Sequence, residues 1–143
     1  MSTSYVLKLV YISKRATIGV YESLSNLYLV PDSLIKIEEF MREEGRHTMM
    51  TVKRLDELGL ETPKRGGELA ERFGETIGRA ATVLGWRGTC FFMQIGEEVE
   101  RLFLKAAFTV CRNRSDREVL NLIIFDEKKH SEWWRRKLSE RRH

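Results

Sequence analysis

Apolar residues recur at steps of three and four positions through most of this sequence, and this pattern constrains the fold more than any other feature. On the first such stretch they include Val6, Leu9, Ile18 and Leu24. The spacing is typical of helices that bury one face. Because only two prolines occur in 143 residues, little interrupts long helices. We therefore predict an all-α fold, with a single antiparallel four-helix bundle domain over residues 1–143.

Helix-breaking residues separate the predicted helices. Pro31 disfavours helical conformation at the residue before it, so the first helix should end near there. The third helix is predicted to be long, and Gly85–Gly88 is the place where it would break. Asn113 begins a turn with helix-capping side chains before the last helix. The predicted helices cover about 4–29, 33–58, 68–111 and 116–139.

Two Glu-x-x-His pairs lie on the predicted second and fourth helices, as Glu44 with His47 and Glu127 with His130. Residues three apart share one helix face, so both side chains of a pair can reach one metal ion. The spacing alone is weak evidence, since a third match lies at the polar C-terminal end. The first two pairs differ because they interrupt apolar stripes, where a carboxylate is costly unless it is paired or metal-bound. The alternative is a pair of ordinary helix-interface histidines hydrogen-bonded to glutamate.

The third helix offers three candidate acids. Glu97 interrupts an apolar line that also contains Met93 and Leu104, so it is the first choice for a metal ligand. Glu98 lies on the adjacent line and is the second choice. Glu100 is predicted to face solvent.

The first helix has a lysine where a fourth carboxylate would be expected. Counting back from the turn near residue 30, the height that matches Glu44 is near residues 14–18, and Lys14 lies there. The nearest acid, Glu22, is about 12 Å further along the helix at a rise of 1.5 Å per residue. Three interpretations of Lys14 stay open. Its amine reaches solvent along a packed stem, or its ammonium replaces one metal charge and pairs with the carboxylates. In the third, a neutral Lys14 is itself a metal ligand, which requires burial to lower its pKa strongly.

These motifs resemble the ferritin-like superfamily and, within it, the demethoxyubiquinone hydroxylase family. The stretch Phe125–His130, the Glu44-x-x-His47 pair and Gly96-Glu97-Glu98 are similar to the family's ligand-bearing elements. The family's first-helix glutamate aligns on Lys14, and its tyrosine seven residues later is present as Tyr21. The resemblance implies a di-iron carboxylate site whose ligands here would be Glu44, His47, Glu97, Glu127 and His130.

The expected function is that of a carboxylate metalloprotein that activates O₂ or peroxide, as a hydroxylase or oxidase. Iron is the expected metal and manganese is also compatible with the ligands. Two ions would bind at a complete site, or one ion if Lys14 takes a ligand position. Lys14 and Tyr21 are the candidate catalytic residues. Two alternatives stay open: a non-catalytic metal-binding or storage protein with an incomplete site, and a helical interaction module.

Composition bears on partners and location. The net charge is +4 and the pI about 9.2, with much of the excess in residues 135–143. Such a charge could favour anionic lipid or nucleic acid, but a basic surface of this size is more often only a solvated face. We therefore expect no nucleic-acid partner and at most a peripheral membrane contact. We expect a cytoplasmic protein, and the abundance of Lys, Arg and Glu is typical of a thermophile. Bundles of this size commonly dimerise through a helix face, so we expect a homodimer with Trp133, Trp134 and Phe92 as candidate contacts.

Overall fold

The computed structural model describes residues 3–27 and 31–140, and this part of the chain is helical apart from short connections. The prediction of an all-α fold is confirmed. None of the helices in the described ranges is long and apolar enough to cross a membrane. The predicted end of the first helix at residue 29 falls outside the described residues. The helices are α1 (Thr3–Leu27), α2 (Pro31–Glu57), α3 (Lys64–Thr82), α4 (Gly85–Val110) and α5 (Arg114–Ser139).

The predicted third helix is two helices, so the described residues contain five helices where four were expected. The break near Gly85 is confirmed, but it is a reversal of the chain and not a kink. Gly85 has φ +74°, a left-handed conformation that glycine adopts without a steric penalty. As a result α3 lies beside α1 and does not extend α4.

Glycines allow α3 to lie directly against the backbone of α1. A Cβ atom added at Gly74 would lie 2.0 Å from the carbonyl oxygen of Ala16, and one added at Gly19 would lie 2.0 Å from that of Glu71. Further along, Gly78 is in contact with the backbone of Val20. Residue numbers rise together on the two helices, so α3 runs parallel to α1. It therefore returns the chain to the end of the bundle where α2 begins, and α4 then runs in the same direction as α2.

The two larger apolar clusters of the core lie towards opposite ends of the bundle. The first cluster includes Tyr21 of α1, Phe40 of α2, Met93 of α4 and Trp134 of α5. The second is formed by α1, α4 and α5 and includes Val10, Leu104 and Ile123. A third, smaller cluster lies between α1 and α2. The buried members of these clusters come from helices other than α3, which packs outside them. The four helices α1, α2, α4 and α5 thus enclose the space between the clusters.

Two of the three aromatic residues expected at a dimer contact lie inside this core. Trp133 is 7% exposed and Trp134 is completely buried. Phe92 is partly buried and packs against the same cluster. The two tryptophans therefore fill the interior of one chain. Apolar side chains that do reach the surface include Phe73, Ile95 and Phe125.

Candidate metal centre

A layer of charged side chains separates the two apolar clusters. It contains Lys14 from α1, Glu44 from α2, Glu97 from α4 and Glu127 from α5, each at most 2% exposed. Each of these residues lies on the core-facing stripe of its helix, so helix periodicity turns them toward one another. With apolar residues above and below, they can be stabilised only by one another or by a bound ion.

Lys14 is the centre of one half of this layer. Its Nζ atom lies 2.9 Å from Glu44 Oε2, 2.5 Å from Glu127 Oε1 and 2.9 Å from Glu100 Oε1. Burial lowers the pKa of Lys14, but Glu100, Glu127 and Glu44 outweigh it and raise the pKa well above the usual range. The side chain is 0% exposed, so the interpretation in which the amine reaches solvent is wrong. The ammonium pairs with the carboxylates instead.

The other half of the layer has four buried polar atoms that lack hydrogen-bond partners. They are Glu44 Oε1, Glu97 Oε2, Glu127 Oε2 and His130 Nδ1. Ligand atoms from these four residues lie within 4.8 Å of one another. Glu44 and Glu127 thus each present one oxygen to Lys14 and the other to this space.

These four residues fit a metal ion. Nitrogen and oxygen ligands form bonds of about 2.0–2.2 Å to a metal such as zinc. Atoms no more than 4.8 Å apart therefore lie close enough to converge on one ion when the side chains move together. Four buried polar atoms without hydrogen-bond partners are otherwise unfavourable. The cluster of Glu44, Glu97, Glu127 and His130 could therefore hold a metal ion.

Outer partners orient both histidines in a reciprocal pattern. His130 Nε2 lies 2.5 Å from Glu43 Oε2, and His47 Nε2 lies 2.8 Å from Asp126 Oδ2. Glu43 directly precedes Glu44, and Asp126 directly precedes Glu127, so each helix supplies the partner for the histidine of the other. Such contacts fix the ring orientation of a metal-bound imidazole. Sequence reasoning missed this role, although the repeated acid before each Glu-x-x-His pair was its signal.

Tyr21 and Trp134 orient Glu97 in the same way. The Tyr21 hydroxyl donates a hydrogen bond of 2.5 Å to Glu97 Oε1, and Trp134 Nε1 donates to the Tyr21 hydroxyl over 3.0 Å. This leaves the other oxygen of Glu97 directed to the metal space. Burial and the nearby Glu97 raise the pKa of Tyr21 well above its usual value, so the phenol keeps its proton.

His47 lies on the lysine side of the layer. Its Nδ1 atom is 3.4 Å from Glu127 Oε1 and 3.6 Å from Glu44 Oε2, the two oxygens that contact Lys14. Burial lowers the pKa of His47, but the carboxylates of Glu127 and Glu44 raise it to about 9. His47 is not one of the four residues that surround the metal space. Its role as a ligand stays a prediction.

The other acidic residues considered as ligands lie in different surroundings. Glu97 lies in the layer, whereas Glu98 lies at its edge and accepts a hydrogen bond of 2.5 Å from the Ser131 hydroxyl. The prediction that Glu100 faces solvent is wrong, because its side chain is only 9% exposed and pairs with Lys14. Burial raises the pKa of Glu100 to about 7 against the opposing effect of Lys14. Glu22 is partly exposed and lies in a separate acidic group with α3 residues.

No family model, curated protein or solved structure matches this chain. The chemistry of the site therefore follows from its own side chains. Carboxylate and imidazole ligands suit iron, manganese and zinc. The two cysteines, Cys90 and Cys111, are buried in the apolar clusters and are not part of the charged layer.

Proposed function

We propose that this chain is a ferritin-like metalloprotein that binds one iron or manganese ion and uses it to activate O₂ or peroxide. The observation that carries the proposal is the set of four convergent, unpaired atoms on Glu44, Glu97, Glu127 and His130. The ferritin-like arrangement is supported by four core helices joined by one long crossover, the part that α3 plays here.

Charge favours one ion over two. When Glu44, Glu97, Glu100 and Glu127 are all ionised they carry four negative charges, and the ammonium of Lys14 and the imidazolium of His47 offset two of them. One divalent ion then leaves no net charge, whereas two would leave two positive charges in an apolar core. The ammonium also occupies the position at which a second ion would contact the same carboxylate oxygens. In this proposal Lys14 is a permanent internal cation.

A bound iron or manganese ion supplies the change of oxidation state that reaction with O₂ or peroxide requires. The chain's own residues hold the ligands and exclude water. Lys14 fixes one oxygen of Glu44 and one of Glu127, so that the other oxygen of each is directed to the metal space. The Tyr21 hydroxyl keeps its proton and donates a hydrogen bond to Glu97 Oε1, with the two oxygens 2.5 Å apart.

Anaerobic titration with Fe(II), followed by exposure to O₂ or peroxide, tests the proposal. We expect one ion per chain and a rapid change in the absorbance of the bound iron after oxidant is added. Glu97→Gln should lose the ion, whereas Glu98→Gln, which alters the neighbouring edge residue, should retain it. One bound ion without oxidation would favour the non-catalytic alternative. Absence of binding would rule out both and leave a helical interaction module.

A further inference from the structure

A groove on the surface leads to the charged layer. It runs between α1, α3 and α4 and has a volume of 540 Å³. Grooves of about 300–1,000 Å³ are typical of small-molecule sites. Its apolar walls are formed by Val20, Phe73, Ile77, Phe92, Val99 and Phe103.

The groove exists because α3 lies outside the core. The glycine contacts hold α3 against α1, and Gly96 of α4 leaves open space at the groove surface. Phe73 and Val99 at the mouth are 64% and 60% exposed. A ligand that covered these side chains would remove apolar surface from water, which is favourable by about 25 cal/mol per Å².

Two carboxylates line the inner end of the groove, and both belong to the charged layer. Glu97 is 2% exposed and directs its Oε2 atom to the metal space, so it closes the groove without offering it an acceptor. Glu100 Oε1 contacts Lys14 Nζ over 2.9 Å, while Oε2 accepts from the Thr17 hydroxyl over 3.1 Å. Each carboxylate oxygen has two lone pairs, so Oε2 of Glu100 can accept a further donor.

We propose that this groove binds a neutral aromatic alcohol or amine, with its ring against the apolar walls and its O–H or N–H group donating to Glu100. The phenyl groups of the walls suit an aromatic ring. The acidic side chains at the inner end can accept a hydrogen bond from a donor and would be crowded by a second anion, so carboxylic acids and phosphates should bind more weakly. The inference deepens the proposed function, on which it rests for the reaction, by naming the substrate class. Binding itself requires only the groove.

Isothermal titration of the full chain without metal provides the test, with 2-naphthol as the neutral donor probe and 2-naphthoate as its anionic counterpart. We expect saturable binding of one 2-naphthol per chain. The naphthoate should bind at least tenfold more weakly. Equal binding of the two probes, or no saturable binding of 2-naphthol, would overturn the proposal.

Two pairs of variants locate the probe. Gly96→Leu fills the groove, whereas Gly45→Leu places the same side chain in open space on α2, also beside a glutamate of the layer. Phe73→Ala removes an exposed wall residue, and Phe125→Ala removes an equally exposed phenyl group on α5, each being 64% exposed. We expect Gly96→Leu to weaken 2-naphthol binding at least tenfold and Phe73→Ala severalfold, with both controls unchanged.

The outcomes separate this proposal from the proposed function. Unchanged 2-naphthol binding in both groove variants would show that the probe does not bind in the groove. Gel filtration adds a further check on the groove. A wild-type chain that is a dimer and does not bind the probe, with a monomeric Phe73→Ala variant, would identify the groove as a contact between two copies of this chain. That result would also overturn the proposal. Fe(II) titration of the same variants is independent of the probe. If the chain binds 2-naphthol in the groove but binds no metal, the groove proposal stands and the proposed metalloprotein function is refuted.

Discussion

Replacing Lys14 by glutamate should convert a site for one ion into a site for two. The substitution changes the local charge by two units, from an ammonium to a carboxylate, and this equals the charge of one divalent ion. The new carboxylate would lie among Glu44 Oε2, Glu127 Oε1 and Glu100 Oε1, which now contact the ammonium, with His47 Nδ1 close by. These groups provide the ligands for a second ion.

The expected changes in the free energy of unfolding follow from the burial of the charged layer. Removing one partner of a buried ion pair costs about 3–5 kcal/mol, so metal-free Lys14→Glu should be less stable than the wild type by at least that much. Each ion present at about 100 times its dissociation constant restores about 2.7 kcal/mol. The additional ion should therefore recover most of the loss. The variant should melt lower than the wild type without metal and near it with excess Mn(II).

Native mass spectrometry and Mn(II) titration measure the stoichiometry directly. Lys8→Glu is the control, because it makes the same change of charge on the same helix at a partly exposed position. We expect two ions per chain for Lys14→Glu, and one for the wild type and for Lys8→Glu. A single ion in Lys14→Glu, or a second ion in Lys8→Glu, would refute the assignment of Lys14 to the position of an ion.

Three further predictions concern pH, the orientation of ligands and the α1–α3 contact. Burial lowers the pKa of His130, but the surrounding carboxylates raise it to about 12 in the metal-free chain, so binding must displace its proton. Burial also raises the pKa of Glu97, a second ligand, well above its usual value. Metal affinity should therefore rise tenfold or more per pH unit between pH 6 and 8, and calorimetry in two buffers should detect between one and two protons released per ion. Tyr21→Phe should weaken metal binding by about 10–100-fold through loss of the hydrogen bond to a ligand carboxylate. Tyr11→Phe, at a buried tyrosine that accepts from an arginine instead, should leave titration isotherms unchanged. Gly74→Ala should destabilise the chain by about 1–3 kcal/mol through overpacking, and Gly45→Ala should stabilise it by about 0.5–1 kcal/mol, both measured by urea unfolding. Equal effects of the two alanines would count against the close helix contact.

Periodicity predicted most of the helices because each buries an apolar stripe, but it did not predict the position of α3. Gly74 and Gly78 are compatible with the close approach of another helix, yet nothing local to the sequence identifies that helix as α1. The contact requires Gly19, which lies in a stretch that otherwise has the pattern of a helix with an apolar stripe. The left-handed conformation of Gly85 determines the direction of the chain, and a glycine in sequence is compatible with a kink or a reversal.

The site was predicted where a charged residue interrupts an apolar stripe. Glu44, Glu97 and Lys14 are examples, and the structure brings all three into one buried layer. Glu100 was missed because its stabilisation comes from Lys14 on another helix, a contact that the stripe of its own helix does not indicate. Glu43 was missed because its role depends on pairing with a histidine of α5. Interactions between helices of distant sequence were therefore the part that the sequence did not specify.

The most direct test of the central claim is a crystal structure of the wild-type chain soaked with Mn(II), with anomalous scattering to locate the metal. The account predicts one anomalous peak per chain, surrounded by Glu44, Glu97, Glu127 and His130, with the Lys14 ammonium still between Glu44 and Glu127. Two peaks, a peak that displaces Lys14, or none within the charged layer would contradict it.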